Sequence, residues 1–567
     1  MLADRNSKNL LKLRAHYFLV LLMLLHSIFY FVYWLAIGNT RGDVDQFIAG
    51  LLNFEFPYIT IVLVLTALFG VWSLLRFVGL RLALSKGEWK PTIINWVYFG
   101  ISIFFLVLFY LSFVLILRDN PSQQGVINQL LNLMRLGSDP FLFLISALWL
   151  RRMILHLRKR SMPATQKWPW SIGIVLVLIS LVGLWLLPAL FPPNWAYQGD
   201  LPAKPALIAH RGASMLSPEN TLASAKLAAE YQAFGFESDV RISYDGVPFL
   251  MHDETLERTT NIAEVYPDRI NENASNFTMG ELDALNAGLW FIQKDPFKMI
   301  ESGMVSQKQL SINQGQKIPT LEEALRLVAQ EDMVILFDMR YPPEDHPYHD
   351  EFFDIVFTQC KESGLNGDLW FLVDQQNVGV LLAEAPQMTR AIGIFSQDLP
   401  DPSALLDLEY EIVNVDTGIM RKDIQAYRQR GLGVNIYTID QPWLFSQFWL
   451  SGVTSVTTNN IQSFSQLDQP YLNVPYSRFL LFWSLFGIII AIWLASSQPR
   501  VEVTPEDQKQ MDTPDLMDFA LEEEEQIKDA ETTGEPLESQ HLLESTNMNG
   551  AAEDIDDESD LEDEGDR

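Results

Sequence analysis

Six long apolar runs limit what this chain can become. They fall at about 17–37, 57–75, 93–117, 140–155, 170–191 and 479–495. A helix rises about 1.5 Å per residue, so about 20 apolar residues cross a hydrocarbon core of about 30 Å. The first, third and fifth runs meet that length. The fourth is interrupted by Arg151 and Arg152, but arginines near a helix end can reach the headgroups, and the run is kept as a span. The reading is therefore a membrane region at 1–195 with five helices, a large segment at 205–470, and a sixth helix at 479–497.

Charge placement orients these spans. Arg5, Lys8, Lys12 and Arg14 precede the first. Arg76, Arg81, Lys86 and Lys90 lie between the second and third, and Arg151, Arg152, Arg158, Lys159, Arg160 and Lys167 between the fourth and fifth. Basic loops stay cytoplasmic, so both termini are expected inside and the 205–470 segment outside, at the plasma membrane. Dropping the fourth span would push its basic loop outward. The first run has no small-residue cleavage site and is too long for a simple signal peptide. Two glycosylation sequons, at Asn273 and Asn276, fall in the segment expected outside.

The net charge of -31 argues against nucleic acid as a partner. Much of it sits beyond residue 500, in runs such as "LEEEEQIKDAE" and "EDIDDESDLEDEGD". Dense like charge with few aromatics predicts a disordered cytoplasmic tail at 501–567, and nothing in it identifies a partner. The single cysteine, Cys360, excludes an internal disulfide framework.

Between the fifth and sixth spans, apolar runs alternate with amphipathic ones. "ALIAH", "FESDV", "VILFD", "LWFLV", "AIGIF", "IVNVD", "VNIYT" and "TSVTT" read as strands. "TLASAKLAAEYQA", "TLEEALRLVAQ", "DEFFDIVFTQCKESG", "RKDIQAYRQRG" and "WLFSQFWLSG" read as helices. Eight such alternations predict an α/β fold, a (β/α)8 TIM barrel inserted as an ectodomain between transmembrane helices. An open doubly wound sheet alternates in the same way, usually with fewer strands. Residues 254–318 form an over-long connection between the second and third strands, expected to rim the mouth and contribute to substrate choice.

Reactive residues gather where the first strands end. His210-Arg211-Gly212 follows "ALIA". Glu237 and Asp239 stand two apart, on one face of a strand. "GVPFLMHD" ends in His252 and Asp253, and "FDMR" sets Asp338 and Arg340 two apart. Carboxylates suit a hard divalent cation, guanidiniums match phosphate, and two imidazoles can act as base and acid. Gly212 is expected to let the backbone approach a ligand. Each pattern alone is an ordinary strand end or ion pair. Jointly they suit cleavage of a phosphodiester, because unpaired carboxylates inside a barrel need a compensating cation.

"HRGASMLSPENT", "ESD", "DGVPFLMHD" and "ERTTN", in that order, resemble the glycerophosphodiester phosphodiesterase family. Weaker likeness runs through "VNIYTIDQPWLFSQFWLSGVTSVTTNN". The six spans look like that family's multi-spanning animal branch, some of which act as lipid or GPI-anchor phosphodiesterases. The resemblance implies a barrel, a Ca²⁺- or Mg²⁺-class ion, and hydrolysis to an alcohol and glycerol phosphate. It implies His210 and His252 as the acid–base pair, Arg211 and Arg340 on the substrate phosphate, and Glu237, Asp239 and Asp338 as metal ligands. Two departures stand out: Asp338-x-Arg340 replaces the usual Glu-x-Lys, and Tyr437 replaces a late Trp. Competing readings are phospholipase D- or C-like action on a lysolipid or GPI-type lipid, and a silent receptor or scaffold.

Overall fold

The computed structural model describes residues 2–36, 45, 54, 56–86, 92–119, 121–157 and 164–496. The acidic tail and the loop residues Lys90, Arg158, Lys159 and Arg160 lie outside them. All described residues belong to one compact unit.

Five apolar helices come first: α1 (Leu2–Ala36), α2 (Tyr58–Lys86), α3 (Ile93–Asp119), α4 (Pro121–Leu157) and α5 (Ala164–Leu190); α6 (Tyr476–Ala495) comes last. Five of the six are long and apolar enough to cross a membrane, and the described apolar stretch of α3 is Ile93–Val107. The fourth helix differs from the sequence expectation. It starts at Pro121 and carries Pro140 inside it rather than at its head. Its added N-terminal part is the polar half, with Gln129 and Asn132 holding the side chain and backbone N–H of Asn194 (2.8 and 2.7 Å). These bonds tie the helix to the chain leaving α5.

The segment between α5 and α6 is a closed parallel barrel. Its strands are β1 (Ala206–His210), β2 (Gly235–Ile242), β3 (Val334–Met339), β4 (Leu369–Leu372), β5 (Thr389–Ile394), β6 (Ile412–Asp416), β7 (Gly433–Tyr437) and β8 (Ser455–Thr458). Each strand pairs with the next, and β8 pairs with β1. Closure settles the choice against an open sheet. All eight strands lie where apolar runs predicted them. The short helices Val378–Glu384 and Pro402–Asp407 add to those expected.

Period-two alternation divides the barrel's side chains. Phe236, Ile335, Phe337, Phe371, Val413 and Val434 point outward and are buried beneath the surrounding helices. Ile208, Leu336, Ala391 and Ile412 point inward and, with Trp370 and Leu372, form a separate apolar cluster inside the barrel. Two residues further along β1 and β3 the inward positions become His210 and Asp338. Register pairs His210 with Glu237 and Asp239 with Asp338, so adjacent strands deliver a polar layer above the apolar plug.

One expectation about strand ends is corrected. The stretch Pro248–Leu250 is not a barrel strand; it folds back antiparallel on β2. His252 therefore reaches the barrel mouth from a hairpin. Residues 254–318 follow and build a small apolar centre around Phe249 from Leu256, Ile262, Phe277, Leu282 and Leu285.

The helices and the barrel share an apolar layer. Tyr30, Tyr33 and Trp34 of α1, Ile59 and Leu63 of α2, and Val126, Ile127 and Leu130 of α4 join the barrel's outer core. Gly125 presses against the Thr417 carbonyl in the loop just after β6, so close that a Cβ there would overlap it. The barrel's C-terminal face, in its β6 sector, thus abuts the helices.

Candidate active site

The site begins with a strained turn. Arg211 and Gly212 both have left-handed backbones, with φ of 56° and 83°. This turn aims the Arg211 amide at Glu237, where it donates to Oε2 at 3.1 Å. The need for glycine at 212 differs from the expectation. A Cβ there would collide with Ser224 on the following helix, so the close approach is to the protein's own chain. That helix starts with a capping box between Thr221 and Ser224, and Ser224 Oγ donates to the Arg211 carbonyl at 3.0 Å.

Glu237, Asp239 and Asp338 converge as the sequence suggested. Each offers an oxygen, and these lie within 4.8 Å of one another. Asp239 is fully buried and densely bonded. Its Oδ2 accepts from Asn220 (2.9 Å) and lies 3.2 Å from Arg211 Nε, while its Oδ1 accepts from Arg340 (2.9–3.0 Å). Arg340 also contacts Asp338 at 2.6 Å. Both guanidiniums expected on a phosphate thus point at carboxylates, Arg211 also reaching Glu219 at 2.8 Å.

Burial and the neighbouring Asp239 push the Glu237 carboxyl well above its ordinary range. Burial likewise raises Asp338. Asp239 moves the other way: burial opposes ionisation, but Arg211, His252 and Arg340 together hold it low. Among the described residues no guanidinium or ammonium pairs with Glu237. Its nearest basic group is His210 Nε2, at 3.8 Å. Three close carboxylates, one buried without a cation, fit a divalent ion with hard oxygen ligands.

The two histidines are held differently. His210 Nδ1 lies 2.8 Å from Asn459 Oδ1, which also accepts from Ser214 Oγ. Asn459 donates its Nδ2 to Asp440 Oδ2 at 2.9 Å. A carboxylate only accepts, so the amide orientation is fixed and His210 must donate from Nδ1. Its Nε2 is then the free lone pair. Burial, reinforced by Arg211, lowers the His210 pKa to about 4. His252 Nδ1 instead faces the Asp253 carboxylate at 2.7 Å.

Arg258 holds Asp253 in place, with Nη2 at 2.9 Å, and is itself held by Glu219 at 2.7 and 2.8 Å. Burial disfavours the Asp253 charge, but His252 and Arg258 outweigh it and depress the carboxyl strongly. Glu219 is lowered in the same way by Arg258 and Arg211. Glu219, Asn220 and Arg258 sit inside the "PENT" and "ERTTN" motifs, yet the sequence reading gave them no role. Asn459 had a readable signal: it continues the inward alternation Ser455–Thr457 by two more residues. Tyr437 ends β7 opposite Asp416. Burial, with Asp416 and Asp338 adding to it, pushes its phenol up to about 12.

Residues 210–362 match the Glycerophosphoryl diester phosphodiesterase family. The chain is 38% identical over 315 residues to a Mus musculus protein named glycerophosphoinositol inositolphosphodiesterase GDPD2, covering 54% of this chain and 57% of that one. It is 33% identical over 369 residues to the Homo sapiens glycerophosphodiester phosphodiesterase domain-containing protein 5, covering 63% and 59%. It thus spans somewhat over half the length of these relatives. A solved Oleispira antarctica phosphodiesterase, in complex with the product sn-glycerol-3-phosphate, aligns with 24% identity and a TM-score of 0.38, covering 46% of this chain and 95% of that one. The ordered motifs and the closed barrel agree with that match, and residues 210–362 are similar to the glycerophosphodiester phosphodiesterase family.

Proposed function

We propose that this protein hydrolyses glycerophosphodiesters at the outer face of a membrane, with a divalent ion held by Glu237, Asp239 and Asp338. The convergence of those carboxylates beside two differently held imidazoles carries the reading. Of the two ions expected, Ca²⁺ suits the cluster better, because it tolerates irregular carboxylate geometry where Mg²⁺ demands a near-ideal octahedron. When bound, such an ion polarises a phosphoryl or hydroxyl oxygen and offsets developing negative charge.

The residues divide the proton work. His210 presents an unprotonated Nε2 and acts as base, removing a proton from a hydroxyl adjacent to the ester. That oxygen attacks phosphorus, forming a cyclic phosphate as the P–O bond to the leaving alcohol breaks. His252, its ring oriented by the Asp253 carboxylate at Nδ1, donates a proton to that alcohol. Water then opens the ring with the roles reversed. Arg211 and Arg340 turn from their carboxylates to the phosphate oxygens. Glycerol and inositol both carry a hydroxyl next to the ester, so the products reveal which side attacks: glycerol phosphate plus alcohol, or inositol phosphate plus glycerol. The GDPD2 relatives, by their name, favour glycerophosphoinositol as the first substrate to test.

Purified full-length protein given glycerophosphoinositol and glycerophosphocholine, followed by product analysis, tests this. Ion-dependent release of either product set supports the reading, and no hydrolysis of either contradicts it. A lysophospholipid is a second substrate class, favoured by the contact between the loop after β6 at the barrel mouth and α4. Assay of a lysolipid in the same preparation separates the two.

A further inference from the structure

A second cleft, of about 480 Å³ and lined by residues apart from the carboxylate cluster, lies between the helix Arg421–Gln429 and the chain linking α5 to β1. Arg421, Gln425, Arg428 and Gln429 line it, at spacings of 4, 7 and 8 from the first, which places them on one helical face. Tyr197 and Gln198 face them across the cleft. Among the described residues neither arginine pairs with a carboxylate. Arg421 donates only to the carbonyls of Asn194 and Ala196, at 3.2 and 3.4 Å, and Arg428 to the Leu432 carbonyl at 3.1 Å. In a chain with a charge of -31, two guanidiniums on one cleft without an acid are conspicuous.

The location supplies an independent argument. Asn194 and Ala196 follow closely on the end of α5 at Leu190. Ala196 and Tyr197 pair with Val474 and Pro475, immediately before α6 begins at Tyr476. The cleft therefore sits where the chain leaves one apolar helix and enters the other, which is the level of the headgroups when those two helices span a bilayer.

We infer that this cleft binds a phosphate-bearing anion, through the paired guanidiniums of Arg421 and Arg428. Guanidinium forks match phosphate oxygens two at a time, and the glutamine amides and the tyrosine add neutral donors. A phospholipid headgroup and free phosphate offer the same chemistry. Bound there, a lipid would fix the barrel's position on the bilayer without touching the reacting atoms.

Native mass spectrometry of the full-length protein in neutral detergent tests this with three probes: dihexanoyl phosphatidic acid, inorganic phosphate and uncharged dioctanoylglycerol. We expect Arg421→Gln/Arg428→Gln to lose one bound equivalent of phosphatidic acid, or to weaken it on the order of tenfold or more. Hydrolysis of a soluble glycerophosphodiester should stay within about twofold, and Arg421→Lys/Arg428→Lys should keep most of the binding. Parallel loss of inorganic phosphate marks a free-phosphate site, and loss of the lipid alone marks a headgroup site; either supports the inference. Unchanged binding of both anions, or equal binding of dioctanoylglycerol, overturns it. If the double variant misfolds, Arg428→Gln alone decides: weaker binding supports the site, and unchanged binding overturns it.

Discussion

His210 and His252 differ in what holds their Nδ1 atoms, and the proposed division of proton work rests on that difference. A neutral amide backed by Asp440 sets His210, and a carboxylate backed by Arg258 sets His252. Replacing either histidine by alanine should lower kcat on the order of 10²–10⁴-fold. Asp253→Asn should cost about 10- to 100-fold in kcat with KM little changed, since it disturbs the proton donor and leaves binding intact. Steady-state kinetics on the purified variants check both. Glu237 gives a stability signature as well. Its raised folded pKa means the folded state retains the proton longer, so this contribution is complete below the unfolded value of about 4.3 and is lost as pH rises through the folded value. His210, lowered, pulls the opposite way below pH 6.5, so the wild type alone would blur the effect. With chelator present, Glu237→Gln should melt higher than wild type above neutral pH, by a few degrees, and the gap should close near pH 4.5. A gap independent of pH would show that the Glu237 charge costs nothing.

Elements explain what was readable from sequence and what was not. The strands showed because each is a short apolar run that stops at a turn, as "ALIAH" stops at Arg211. Their inward ends showed because charge interrupts an apolar alternation, as at Glu237 and Asp338. The helices Val378–Glu384 and Pro402–Asp407 were missed because two turns or fewer give too little periodicity to detect. The end of "GVPFLMHD" lined up with the barrel strand ends in sequence because antiparallel pairing of Pro248–Leu250 leaves no local mark. The start of α4 was missed because its polar first half reads as a loop until Gln129 and Asn132 meet Asn194. The roles of Asn459 and Arg258 depend on contacts made across long sequence distances. Gly212 tests the element account directly. Gly212→Ala should destabilise by about 1–3 kcal/mol, through a left-handed backbone and the clash with Ser224, and should reduce activity by moving His210 and Arg211. Thermal melting together with turnover checks it.

On the scale of the whole molecule, six apolar helices bracket a barrel whose C-terminal face meets α4 at Gly125. If the mouth works against a bilayer, disturbing that contact should affect lipid substrates first. Gly125→Val would drive a side chain into the Thr417 carbonyl, so lysolipid turnover should fall more than glycerophosphodiester turnover when the two are assayed in one preparation. The outside placement of the barrel has its own check. Asn276 is exposed, and Asn273 is half-buried with its side chain capping the Ser275 amide. In cells, Asn276→Gln should remove a glycosidase-sensitive shift in gel mobility. The most direct test of the central claim is ³¹P NMR of glycerophosphodiester hydrolysis by the purified full-length protein, with chelator and then with Ca²⁺ or Mg²⁺ restored. The account predicts that the diester resonance persists under chelator and converts to a phosphomonoester once the ion returns, and that Glu237→Gln stays silent throughout. Hydrolysis at full rate under chelator, or by Glu237→Gln, would contradict it.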